Sequence, residues 1–151
     1  MPLNPWELSY NGLVFGANLQ IGVLSIEGLE PPDSKADIRP KVAQDGSFTF
    51  ALFYEERHVI INGDVIPTSG SPNDLEALIN SWRAAFDNQG TDLDLDYRLG
   101  TGSDRRIKCK PIRRTINVDR DYNIGAALWV VELVAGDPAI YNTSNTKLFD
   151  G

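Results

Sequence analysis

Ser71-Pro72-Asn73-Asp74-Leu75-Glu76-Ala77-Leu78-Ile79-Asn80-Ser81-Trp82-Arg83-Ala84-Ala85-Phe86-Asp87-Asn88 decides how the rest of the chain is read. Ser71 is placed to cap free N–H groups, Pro72 sits where a first-turn proline costs nothing, and Asp74 favours the positive helix end. Leu75, Leu78, Ile79, Trp82 and Phe86 recur at helical spacing and fall on one face. Glu76, Asn80, Arg83 and Asp87 point away from it, and Asn88-Gln89-Gly90 supplies a stop. The spacing predicts one amphipathic helix over about 72–88. Ordering such a segment costs as much as burying its apolar face returns, so a sheet must accept that face.

The flanking segments supply the strands. Upstream, Asn11-Gly12 between residues 7–10 and 13–15 marks a tight hairpin, and a further strand is expected over 19–26. Residues 28–37, with Pro31-Pro32, read as a loop. Residues 47–54 are strand-prone. Residues 57–66 form a β-branched run in which Asn62-Gly63 reads as a bulge within one longer strand. Downstream, 92–98 alternates with period two and 105–110 returns. Pairing Arg98 with Asp104 sets Asp96 against Arg106, Asp94 against Lys108, Leu95 against Ile107 and Leu93 against Cys109. Separate strands are expected over 113–118 and 126–134, the second closed by Gly136-Asp137-Pro138. The Asn/Thr/Ser-rich remainder, anchored only by Leu148 and Phe149, is either disordered or an arm that orders against another subunit. The class is mainly β with one helix (α+β).

The 151 residues suit one domain with a real core, and 42% hydrophobic and 23% charged content are ordinary for one. A net charge of −7 and a pI near 4.6 argue against general affinity for phosphate backbones or anionic membranes. Cys109 is the one cysteine and has no internal disulfide partner. With no leader and no long apolar run, synthesis in the cytoplasm is expected.

Candidate chemistry is sparse. Asp92, Asp94 and Asp96 resemble the start of a calcium loop, but Tyr97-Arg98 follow where a glycine is needed. Strand alternation would also space those carboxylates about 7 Å apart, too far for one ion. The basic run Arg105, Arg106, Lys108, Lys110, Arg113 and Arg114 faces the neighbouring aspartates and has no interleaved aromatics, so it reads as an internally paired face. Arg113 and Arg114 remain its contact candidates. His58 is the sole histidine, which excludes schemes needing two imidazoles, and it reads as a solvated rim position beside Glu55, Glu56 and Arg57. Gly100-Thr101-Gly102-Ser103 lacks the helix and third glycine of a phosphate loop. Cys109 points inward as core. No catalytic residue, cofactor or metal site is expected, and the chain is read as a non-enzyme.

Several short motifs occur in an order that resembles a known family. They are Ile26-Glu27-Gly28-Leu29-Glu30-Pro31-Pro32, Arg39-Pro40, Asp45-Gly46, Arg57-His58-Val59-Ile60-Ile61-Asn62-Gly63, the helix, Trp129, and Asp137-Pro138-Ala139-Ile140-Tyr141. From about residue 7 to 142 the chain resembles the amino-terminal domain of the distal tail protein (Dit) family of long, flexible-tailed bacteriophages. The resemblance implies a β-sandwich of antiparallel strands over 7–136, with arms over 1–6 and 137–151. It also implies a structural virion protein made in the host cytoplasm and placed at the tail tip. Six copies would form a ring joining the tail tube protein to a tail-associated hub protein at the baseplate. The central channel would pass the tape-measure protein and, in transit, DNA; no membrane contact is implied. Larger members carry a carboxy-terminal carbohydrate-binding-like domain. This chain stops soon after the Tyr141 mark, so receptor binding is not expected of it.

Within that frame, Trp6, Arg113, Arg114, Tyr141, Leu148 and Phe149 are the subunit-interface candidates, and Asp92, Asp94 and Asp96 the channel-facing ones. An acidic wall would let DNA slide without sticking. Two alternatives remain open: a carbohydrate-binding β-sandwich, with or without calcium, and another ring-forming tail tube or neck protein. A sugar platform exposes aromatics, whereas Trp6, Trp82 and Trp129 read as arm, helix core and strand core.

Overall fold

A computed structural model describes residues 3–17, 19–30, 34–40, 47–54, 56–87, 90–100, 102–117 and 125–149. In chain order the elements are β1 Glu7–Tyr10, β2 Leu13–Gly16, β3 Ile21–Glu27, β4 Ser34–Pro40, β5 Ser47–Tyr54 and β6 Arg57–Val65. Helix α1 Pro72–Ala85 follows, then β7 Leu93–Arg98, β8 Arg105–Ile116, β9 Ala127–Ala135, β10 Ile140–Asn142 and β11 Lys147–Phe149. The fold is mainly antiparallel β with one helix.

The long strand β8 joins two halves. Its first half pairs with β7, from Tyr97 opposite Arg105 to Leu93 opposite Cys109, and carries β10 on its other side. From Lys110 onward it pairs with β9. One half therefore runs β2-β1-β7-β8 with β10 and β11 added, and the other runs β8-β9-β6-β3. The register between them shifts at Pro111–Arg113, where proline's missing N–H removes a ladder donor. The strand expected over 113–118 is thus not separate: residues 113–116 continue β8, and Val118 lies outside the described residues.

Inner faces alternate as period two requires. Leu8, Tyr10, Phe15, Leu95, Ile107 and Cys109 from one half meet Val59, Ile61, Trp129, Val131 and Leu133 from the other in one buried cluster. Helix α1 adds Leu75, Ile79, Trp82 and Ala85, with Phe86 at its C-cap. Ser71 accepts the Asn73 N–H at 3.3 Å, so the expected cap forms, and Pro72 occupies the first turn. The contact between helix and sheets is aromatic. Tyr10 stacks on Phe86 with centroids 5.3 Å apart, and Trp82 lies 5.6 Å from Trp129. Phe15 meets both Phe86 and Trp129 edge-on.

Asn11 and Gly12 both take positive φ, 49° and 84°, as a two-residue hairpin of this twist demands. Strand β6 runs unbroken through Asn62-Gly63. The irregularity lies in its partner, between Val23 and Ser25 of β3. Gly63 has another reason: a Cβ there would meet the Gly22 carbonyl oxygen at 2.1 Å and the Trp129 ring at 2.4 Å.

Three further expectations change. The loop read over 28–37 ends earlier, because Ser34–Pro40 pairs with β5 in a separate two-stranded sheet. The C-terminal stretch also folds, as β10 and β11 pair with each other and β10 with β8. Its polar residues build the turn themselves, the Asn142 side chain accepting the Ser144 and Thr146 N–H groups. At the other end, Leu3 is buried, and its N–H donates to Asp104 at 3.0 Å.

Cys109 is fully buried, and burial, with Asp92 and Asp94 adding to it, pushes its thiol pKa up. A colourimetric disulfide reagent is expected to find no reactive thiol in the native protein and one equivalent after denaturation; prompt native reaction would contradict this core placement.

Candidate functional site

The predicted site residues fall on two outer faces. On the β7–β8–β10 face, Arg106 grips Asp96 with Nε–Oδ1 2.7 Å and Nη2–Oδ2 3.1 Å, and reaches Asp94 at 3.3 Å. The hydrogen bond to Asp96 raises the Arg106 pKa. Lys108 lies over the Tyr141 ring, 5.2 Å from its centroid, while the Tyr141 hydroxyl donates to Asp137. Arg98 pairs with Asp104 at 2.7 Å. Two of the three channel candidates, Asp94 and Asp96, thus share one guanidinium; Asp92 precedes β7 and is exposed. No group of three His, Cys, Asp or Glu among the described residues is arranged to hold a metal ion.

On the β8–β9–β6 face, Arg113 pairs with Glu132 at 2.8 Å and remains 73% exposed. Arg114, opposite the inward-facing Val131, lies on the other side of the sheet and donates to the Arg83 carbonyl at the end of α1. Leu128 and Val130 of β9 stand half exposed on the Glu132 face, their neighbours Trp129 and Val131 being buried. Of the other interface candidates, Leu148 is exposed. Phe149 pairs with Ile140 through the backbone. Trp6 is only partly exposed, with φ at 62°, and its indole N–H donates to the Val23 carbonyl at 2.9 Å. These candidates are spread over the surface, though Arg113 and Arg114 line one shallow cleft together with Phe86, Asp87, Pro111 and Ile112. An open groove of about 840 Å³ lies over the first face, among Leu3, Ser9, Val14, Asp96, Arg98 and Asp104. Its described lining includes no aromatic ring, so it offers a sugar no stacking platform.

The most organised polar centre is one the sequence reading passed over. Arg57 is 1% exposed. Its Nε and Nη2 donate to the Pro138 carbonyl at 3.1 and 2.9 Å, and its Nη1 donates to the Gly28 and Glu30 carbonyls, both at 2.7 Å. Burial lowers its pKa, offset in part by Tyr97 and Glu30. Gly28 is required beside it: φ is 92°, and a Cβ would fall 1.8 Å from the His58 carbonyl oxygen. Three separate motifs, 26–30, 57–58 and 137–141, therefore meet at one guanidinium. A charged residue opening a strand gives no sign of inward direction; only the alternation with buried Val59 and Ile61 could have revealed it.

The remaining charges on the second face centre on His58. Its Nδ1 lies 3.1 Å from Glu132 and its Nε2 3.1 Å from Glu56. The Glu132 hydrogen bond raises the His58 pKa against the effect of burial, and Glu56 adds to the rise. Glu132 is lowered, first by His58 and then by Arg113. Glu132 escaped notice because it interrupts a run of apolar strand residues.

The β-rich body with one helix packed on it is a fold shared with a phage tail hub protein of solved structure. The solved structure is the Dit (gp 19.1) protein of phage SPP1, described as a paradigm of the hub adsorption apparatus in phages infecting Gram-positive hosts. The two superpose with a TM-score of 0.65 at 15% identity, over 90% of this chain and 51% of that one. The chain thus spans about half the length of that protein. No protein-family model matches, and no curated protein matches.

Arg57→Met strips three carbonyls of their buried donor and is expected to lower unfolding stability by about 2–5 kcal/mol in urea titration. Gly28→Ala should cost about 2 kcal/mol or more by the same measurement, since backbone must move to admit the methyl group. A change under 0.5 kcal/mol in either would deny the junction its role.

Proposed function

We propose that this chain is a structural subunit of a phage tail tip, a distal tail adaptor that works by assembling with copies of itself. The observation that carries the reading is the fold shared with the SPP1 hub protein across nine-tenths of this chain. In this proposal six copies close a ring between the tail tube protein and a tail-associated hub protein, with a channel for tape-measure protein and DNA. The subunit performs no catalysis.

Two features of the surface support side-by-side assembly. Beyond Cys109, β8 has no partner on its β7 side among the described strands, so Lys110 to Ile116 presents an open edge there. At the opposite end of that half, β3 pairs only with β6 among the described strands. Unlike edges at opposite ends of a sheet favour head-to-tail contact, and such contact closes rings when the rotation allows. The net charge of −7 suits a channel that DNA traverses without binding.

Native mass spectrometry tests this, on the chain alone and mixed with the tail tube protein. A species of six copies is expected in at least one condition, and monomer in both would reject the ring. Ile112 is 47% exposed on the open edge. Ile112→Asp should weaken assembly at least about tenfold while leaving the circular dichroism spectrum unchanged.

A further inference from the structure

His58 is placed between two carboxylates so that each ring nitrogen faces an oxygen at 3.1 Å. A neutral imidazole carries one N–H, so one of these contacts would then set a lone pair against a carboxylate. The arrangement is complete only for the imidazolium. Glu132 passes the tie onward to Arg113 on β8, so a row of alternating charge crosses β6, β9 and β8. The next charges on this outer face are Lys110 of β8, opposite Val134 of β9, and Glu27 of β3, opposite Ile60 of β6.

The row has a position as well as a charge. Glu56 stands at the entry to β6, directly after the β4–β5 hairpin. On the inner side, Arg57 ties the same junction to the Gly28 and Glu30 carbonyls, which lead into β4. The hairpin's root is thus held from both sides of the sheet: permanently within, and through an ionisable ring without.

We propose that Glu56, His58, Glu132 and Arg113 form a proton-operated latch on the exit of the β4–β5 hairpin, closed when both imidazole nitrogens carry protons and opened by loss of one. Glu56 is the carboxylate released. Its side chain is 58% exposed against 15% for Glu132, so water readily replaces the imidazole as its partner. Glu132 keeps the remaining N–H and Arg113.

The sign follows from linkage. His58 is raised in the folded state, so its contribution is whole below the ordinary imidazole value of 6.5 and is lost as pH rises through the folded value. Glu132 is lowered, so its share is whole above 4.5 and lost as pH falls through its folded value. The latch is closed between those limits.

Because His58 is the sole histidine, an NMR titration of the intact chain reads it without ambiguity. The midpoint is expected above 6.5 and should move down in Glu132→Gln. Amide hydrogen exchange at Glu56 and Arg57, corrected for its intrinsic pH dependence, should accelerate severalfold above the midpoint. In Glu56→Ala, a change at an exposed side chain that removes every hydrogen-bonding group at this position, the same amides should exchange fast on both sides of it. A midpoint at or below 6.5, or wild-type protection unchanged across the titration, would overturn the latch.

Discussion

A buried guanidinium is held inside this protein by backbone carbonyls, with no carboxylate bonded to it among the described residues. Arg57 spends four hydrogen bonds on three carbonyl oxygens, from the segment before β4 and from the turn between β9 and β10. The buried cation would not tolerate its place without those oxygens. The result is a fixed meeting point for three stretches far apart in sequence. Removing the Gly28 φ, the Arg57 side chain or the Pro138 carbonyl would undo it from a different direction.

That junction clarifies how the two faces of β6 divide their tasks. Alternation sends Arg57 inward and His58 outward, so adjacent residues hold the same hairpin root by unlike means. The inner tie is insensitive to pH in the accessible range, because the side chain stays charged. The outer tie lies in water, its partners are carboxylates, and its strength follows proton concentration. A single strand thereby combines a constant restraint with an adjustable one.

Elements whose physics is local were legible in the sequence. The helix announced itself through Ser71, Pro72 and a stripe ending at Phe86, and the β7–β8 hairpin through aspartates set against basic residues in one register. Elements decided by tertiary contact were not. Pro111 looks like a break in the sequence, yet the bulge accommodates it and lets β8 change partners. The polar stretch after Pro138 has too few apolar residues to signal strands, and it orders because β8 offers an unpaired side. Among candidate site residues, Arg113, Arg114 and Leu148 reach the surface, whereas Trp6 is partly covered and bonds to its own β3. Arg57 and Glu132 stayed hidden because a charged residue in a strand normally signals solvent.

Strand β8 belongs to both halves of the body, and twelve residues of it span about 40 Å without a loop. A covalent beam shared by two sheets prevents either from sliding past the other. The β10 end and the open edge near Ile112 are joined by one continuous strand, through the register shift at Pro111–Arg113. Such a block tilts as one piece.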